Sequence, residues 1–145
     1  MITRTSQFHR AWVLGVLLML PAVAAQAAGA DYYAQFGGAA GMRALVNAFV
    51  NRVVIDPRIS AYFRRTNIPA LKAALALQFC QLEGGNCKFS MNMHAVHAQL
   101  GVTQAAFNAL ANDLYLTMDR RAIPMAAQNN LLAKLAAMEP QVVTR

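Results

Sequence analysis

Cysteine is scarce in this chain: Cys80 and Cys87 are the only two among 145 residues. Without a second close pair to complete a tetrahedral set, a two-cysteine metal site is the weakest of three readings, behind a disulfide and a pair of buried thiols. No stretch alternates apolar and polar residues with a period of two for long enough to be a strand, which removes the sheet-based folds. Acidic residues number six against thirteen basic ones, a formal net charge of +7. That balance invites a nucleic-acid reading, but the basic residues are scattered and no stacking aromatics are interleaved with them. Only Arg64-Arg65 and Arg120-Arg121 are adjacent, so a nucleic-acid groove is not expected. There is no internal repeat and no long linker, and the length suits one domain.

The chain begins with a different character. Arg4 and Arg10 supply a basic start, Ala11 to Leu20 is apolar, Pro21 breaks the run, and Ala25-Gln26-Ala27 has the A-x-A form of a cleavage site. This is the layout of a secretory signal peptide covering residues 1–27, which leaves residues 28–145 as the domain. Retention as an anchor is the alternative. The run is interrupted by Pro and Gln where a span wants about 20 firmly apolar residues, so no stable membrane insertion is expected after cleavage. No cysteine directly follows the run, and a bacterial lipid anchor is not indicated. A periplasmic or secreted location follows. In such an oxidising compartment Cys80 and Cys87 pair, closing a short loop worth about 2–3 kcal/mol in the chain-entropy model.

The remainder reads as helices. Gly37-Gly38 marks a sharp turn, after which Met42, Leu45, Val46, Phe49, Val50 and Val53 recur at spacings of three and four, the stripe of an amphipathic helix. Asp56-Pro57 stops it, and a short turn runs from Arg58 to Phe63. A second helix starts near Asn67 and Pro69, carries Leu71, Leu75, Phe79 and Leu82 on one face, and ends before Gly84-Gly85. Thr103 caps a third, with Phe107, Leu110, Ala111, Leu114 and Met118 as its stripe. Pro124 starts a fourth, with Leu131, Leu132, Leu135 and Met138 inward, and Pro140 closes it. The expected fold class is all-α with four substantial helices. Between the second and third lies a long connection, Gly84 to Val102, of the kind that is usually functional in a compact domain.

That connection holds His94 and His97, the only histidines downstream of the apolar run. An iron–haem bond needs a neutral imidazole from a short helix or loop, its other ring nitrogen fixed by a hydrogen bond, and an apolar slot on both ring faces. The two histidines lie three apart on roughly one helical side, and only one need face inward. Spacing alone leaves open whether either is a ligand or an ordinary half-buried side chain with a hydrogen-bond partner.

The chain resembles the group I truncated haemoglobins, small globins with a two-over-two helical sandwich. The resemblance runs from about Tyr32 to Val143. It rests on Phe36-Gly37-Gly38, DPRISAYF from Asp56 to Phe63, LKAAL from Leu71, Gly84-Gly85, and M-x-x-V-H-A-x-L-G-V-T from Met93 to Thr103. It implies haem b as cofactor, His97 as proximal iron ligand, and no transferable role for His94. It further implies that Phe63 stacks on the haem, that Leu71, Leu75 and Phe79 line the distal side, and that Met93, Val96, Val102 and Phe107 line the proximal side. Lys72, Arg64 or Arg65 would meet the propionates, or else stand as solvated charges.

The distal side departs from the pattern of many members. Val50, directly after Phe49, stands where they place a tyrosine, and Leu75 stands where they place a glutamine; neither donates a hydrogen bond to a bound, partly anionic dioxygen. Gln78, one turn beyond Leu75, is the nearest candidate donor unless it points to solvent. The function implied is reversible binding of O2, NO or CO at the haem iron. The alternatives are NO dioxygenation or a peroxidase-like reaction fed by an external reductase, and a haem-free helical interaction module that keeps the fold.

Overall fold

The computed structural model describes residues 31–145. The expectations for the signal peptide, residues 1–27, lie outside the described residues. Seven α-helices follow in order: α1 (Tyr32–Gln35), α2 (Gly38–Val53), α3 (Ile68–Leu82), α4 (Met93–His97), α5 (Gln104–Arg120), α6 (Met125–Ala136) and α7 (Glu139–Val142), with a short 3-10 helix over Ser60–Phe63 between α2 and α3. They form a two-over-two sandwich in which α2 and α3 make one antiparallel pair and α5 and α6 the other, as expected for an all-α truncated globin. No helix among the described residues is long and apolar enough to cross a membrane.

Local chemistry sets the helix boundaries. Gly37 sits in the left-handed region with φ 83°, a conformation open to glycine at little cost, and so α2 starts at Gly38, four residues before its stripe begins at Met42. Asn67, Asn92 and Thr103 each cap the following helix by accepting a backbone N–H two or three residues inside it, at 3.1, 2.9 and 3.1 Å, which satisfies donors that the helix itself leaves unpaired. Two expected endings differ. α2 stops at Val53, ahead of Asp56-Pro57, because Val54 to Asp56 already fold into the following turns. Pro140 does not close a helix but opens α7, where its missing N–H is no loss.

The core lies where α2 passes between α3 and α5. Leu45, Val46, Phe49, Val50 and Val53 of α2 are all buried, together with Phe79, Leu114, Met118 and Leu131 from the other long helices. Phe49 and Phe79 meet with ring centroids 6.3 Å apart and planes tilted by 34°, within the separation at which aromatic pairs attract. The stripe of α5 is broader than expected: Ala106, Ala109, Asp113 and Thr117 are buried, whereas Phe107, Leu110 and Ala111 are only half-buried. This helix faces the core along one line and an open cleft along another.

Two buried carboxylates lie in this core. Asp113, 1% exposed, accepts from Arg52 at 2.6 Å and has Arg58 at 3.5 Å, while the Thr117 hydroxyl donates to its carbonyl at 2.7 Å. Arg58 also grips Asp56 through two nitrogens at 2.9 and 2.6 Å. Those side-chain bonds, with one from the Arg58 backbone, hold the Asp56 carboxyl well below the usual carboxylate range. The pair therefore adds stability at neutral pH that is lost as pH falls through the lowered value.

Glu83, at the end of α3, is the opposite case. Its oxygen Oε1 lies 3.5 Å from the Lys134 ammonium, which also donates to the Leu82 carbonyl, and its oxygen Oε2 is buried without a partner. Burial pushes its carboxyl above the ordinary value of 4.5, against the opposing pull of Lys134. The folded chain then holds this proton more tightly than the unfolded chain, so stability falls as pH rises from about the unfolded value through the raised one. Thermal melts of Glu83→Gln should show a gain in Tm over the parent at about pH 7 that shrinks or vanishes near pH 4. A gain that is the same at both pH values would rule out titration of Glu83 as its source.

Candidate functional site

α4 is five residues long, too short to persist without outside support, and it carries both histidines. The upstream support is the disulfide: Cys80 and Cys87 are bonded, with Cα atoms 5.9 Å apart, tying the end of α3 to the loop that leads to α4. Gly85 makes this close approach possible, since a Cβ there would lie 2.5 Å from the Cys80 sulfur and 2.9 Å from the Tyr33 ring. The Phe89 N–H then donates to Gln81 Oε1 at 2.6 Å, fixing the next part of the loop to α3. Downstream, the Val102 N–H donates to Thr144 Oγ1 at 3.1 Å, and the Thr144 N–H donates to the Val102 carbonyl at 2.9 Å.

The two histidines separate in this setting. His94 is exposed, whereas His97 is half-buried and lines the cleft. His97 Nδ1 is 2.7 Å from the Met93 carbonyl oxygen. A carbonyl can only accept, so Nδ1 is the protonated nitrogen of this contact, and in a neutral ring Nε2 would keep its lone pair. A neutral imidazole oriented by a backbone carbonyl is the arrangement that metal-binding histidines use.

The cleft consists of two adjoining cavities of about 340 and 500 Å³ that share Leu75, Gln78, Met93, His97, Phe107 and Leu110. The smaller opens along Phe63, Leu71, Val96 and Val102; the larger runs inward past Phe49 and Phe79 toward Leu135 and Met138. The structure thus brings together Phe49, Phe63, Leu71, Leu75, Gln78, Phe79, Met93, Val96, Val102 and Phe107 around His97. Val50 is not among them: it is 1% exposed within the core and lines neither cavity. Lys72 is also elsewhere, its ammonium donating to Asn47 Oδ1 at 2.6 Å and Asn51 Oδ1 at 2.7 Å across a different groove. Arg64 and Arg65 are exposed.

Gln78 faces inward rather than to solvent. It is 6% exposed, and its side-chain nitrogen has only the sulfurs of Met93 and Met138 nearby, at 3.5 and 3.8 Å. Thioethers are weak acceptors, so this amide keeps donor capacity inside an apolar space. Several wall residues carried no sequence sign of their role. Leu110, Leu135 and Met138 belong to stripes that serve equally as core, and Phe89 reaches the cleft only through the loop bond to Gln81. Volume, apolar walls, one free imidazole nitrogen and one buried amide suit a large planar apolar group with a metal at its centre.

Comparison with known proteins agrees with this geometry. A family model described as bacterial-like globin matches residues 31–144. A group 1 truncated hemoglobin, GlbN, from Mycolicibacterium paratuberculosis is 27% identical over 116 residues, which span 79% of this chain and 85% of that protein. Among solved structures, the truncated hemoglobin of Tetrahymena pyriformis in its Fe(III) form superposes with a TM-score of 0.74 at 21% identity, over 79% of this chain and 98% of the other. The 2/2 hemoglobin of Synechococcus sp. PCC 7002 superposes with a TM-score of 0.74 at 24% identity, over 80% and 100%.

Proposed function

Since the chain belongs to the bacterial-like globin family, we propose that it is a group I truncated haemoglobin that binds haem b through His97 and reversibly takes up O2, NO or CO. The observation that carries this is the Nδ1–H of His97 donating to the Met93 carbonyl within the apolar cleft, because it leaves Nε2 available as a ligand atom. The similarity to a group 1 protein over most of the chain supports the subgroup. When bound, haem would supply an iron able to take up a diatomic ligand.

The chain's own residues do the rest. Met93 holds the His97 ring in one tautomer, Phe63, Leu75 and Phe107 exclude water from the cleft, and Gln78 offers the one buried side-chain donor from α3. Haem loading should be abolished or greatly weakened by His97→Ala, read as loss of the Soret band, and unaffected by His94→Ala. Equal loading of both variants would remove His97 from this role, and no loading of the parent would favour the haem-free helical module.

Gln78 takes the place of the donors that Val50 and Leu75 cannot provide. Replacing it by Leu should speed dioxygen dissociation from the ferrous protein by roughly tenfold, the effect of one hydrogen bond of about 1–1.5 kcal/mol. An unchanged rate would mean that the amide does not reach the ligand.

We also propose that residues 1–27 direct export and are removed, on the strength of Arg4 and Arg10, the apolar run and Ala25-Gln26-Ala27, with the Cys80–Cys87 disulfide suited to an oxidising compartment. Fractionation of expressing bacteria should recover protein outside the cytoplasm with Ala28 as its first residue. Intact protein in the cytoplasm would refute export.

A further inference from the structure

A further cavity, sharing no lining residue with the cleft around His97, lies on the other side of α3. It is a half-open groove of about 620 Å³ between α2 and α3. Its floor exists because Ala39 and Ala44 of α2 face Ala73 and Ala76 of α3, and these short side chains leave the space between the helices unfilled. Met42 and Leu77 border it, and Leu77 is 45% exposed, an apolar side chain without cover. The disulfide and Tyr33 close one end, while Lys72 and Asn47 stand at the other. From Lys72 to Cys80 along α3 the groove runs about 12 Å at the helical rise.

The charge in the groove is of one sign. Arg43 and Lys72 line it, and none of the six acidic residues does. Neither cation forms an ion pair among the described residues. Lys72 is held in place by two neutral side-chain oxygens, Asn47 Oδ1 and Asn51 Oδ1, which orient the ammonium without neutralising it and leave it a third donor. The site thus combines a positively charged head position with an apolar trough of molecular length. A volume of this size is that of a small-molecule site. A stable protein interface would instead need roughly 800 Å² of surface on each partner.

We propose that this groove binds a free long-chain carboxylate, with the carboxyl group on Lys72 and the alkyl chain lying over Ala73, Ala76 and Leu77 toward the disulfide, past Arg43 on the opposite wall. Charge-assisted hydrogen bonds of this kind are among the stronger polar contacts, and the chain removes exposed apolar surface from water.

Calorimetric titration of the purified haem-loaded chain with dodecanoate, kept below its micelle concentration, tests this. The expected result is one saturable site per chain with no change in the Soret band. Lys72→Glu should weaken dodecanoate by roughly tenfold and admit dodecyltrimethylammonium, which the parent should bind poorly; a merely structural role for Lys72 would not produce that exchange. Ala76→Trp, verified as folded by its thermal melt, should block dodecanoate. Equal binding of the cationic and anionic chains by the parent would overturn the proposal, as would dodecanoate binding that survives Ala76→Trp. A Soret shift on binding would place the chain in the haem cleft instead. Association only with vesicles of anionic phospholipid would mean that the surface reads a membrane rather than a free acid.

Discussion

A helix of five residues cannot hold an imidazole in place by its own hydrogen bonds, and much of this structure can be understood as the means of fixing that one segment. α4 is restrained at both ends by bonds that skip over the loops beside it. The disulfide and the Gln81–Phe89 bond make the loop before it a continuation of α3. The reciprocal pair between Val102 and Thr144 fastens the loop after it to the end of the chain, where α7 packs against α4. The His97–Met93 bond then sets the ring within the helix. Loss of an outer restraint would change where His97 points without touching His97 itself.

The rigid frame to which those restraints are attached is the α2–α3–α5 core, and its polar contents explain why it keeps one arrangement. Asp113 is buried on α5 yet bonded to Arg52 of α2 and near Arg58 of the following turn. A buried carboxylate that loses its partner is strongly destabilising, so the helices cannot slide past each other without exposing that cost. Glu83 is less well served: each carboxylate has one oxygen unpartnered, but the other oxygen of Glu83 has only Lys134, at 3.5 Å, where that of Asp113 has Arg52 at 2.6 Å. It lies at the end of α3, beside Gly84-Gly85 and the disulfide, where a covalent bond already limits the chain's freedom and less is required of noncovalent contacts.

The fold class and the long helices were legible in the sequence for different reasons. Apolar spacing marks α2, α5 and α6 because each has a side that must leave water. Asn67 and Thr103 cap helices through strictly local bonds, and local chemistry is what a sequence displays most directly. His97 over His94 came from the V-H-A-x-L-G-V-T pattern; periodicity could not separate them, because whether a ring is covered depends on α3 and α5, distant in the chain. Gln78 was undecided for the same reason: its environment is two methionine sulfurs, one fifteen and one sixty residues away. Pro140 opens α7 where the sequence suggests the end of a helix, because a proline that ends one helix and a proline that begins the next look alike until the turn between them is known.

α3 shows how one helix can face two apolar spaces. Lys72 is its only charged residue, and apolar side chains are distributed around the whole of its circumference. A helix of that composition is usually enclosed on all sides, yet Leu77 is 45% exposed. The helical spacing accounts for the difference: Leu71, Leu75 and Gln78 line the cleft with His97, while Lys72, Ala73, Ala76 and Leu77 line the groove beside α2. Apolar residues on the first side are explained by the cofactor cleft. Those on the second have no cover in the fold, and alanines there keep open a space that leucines would have filled. The groove, edged by Arg43 and Lys72 with no ion pair to either among the described residues, is the space the proposed carboxylate would fill.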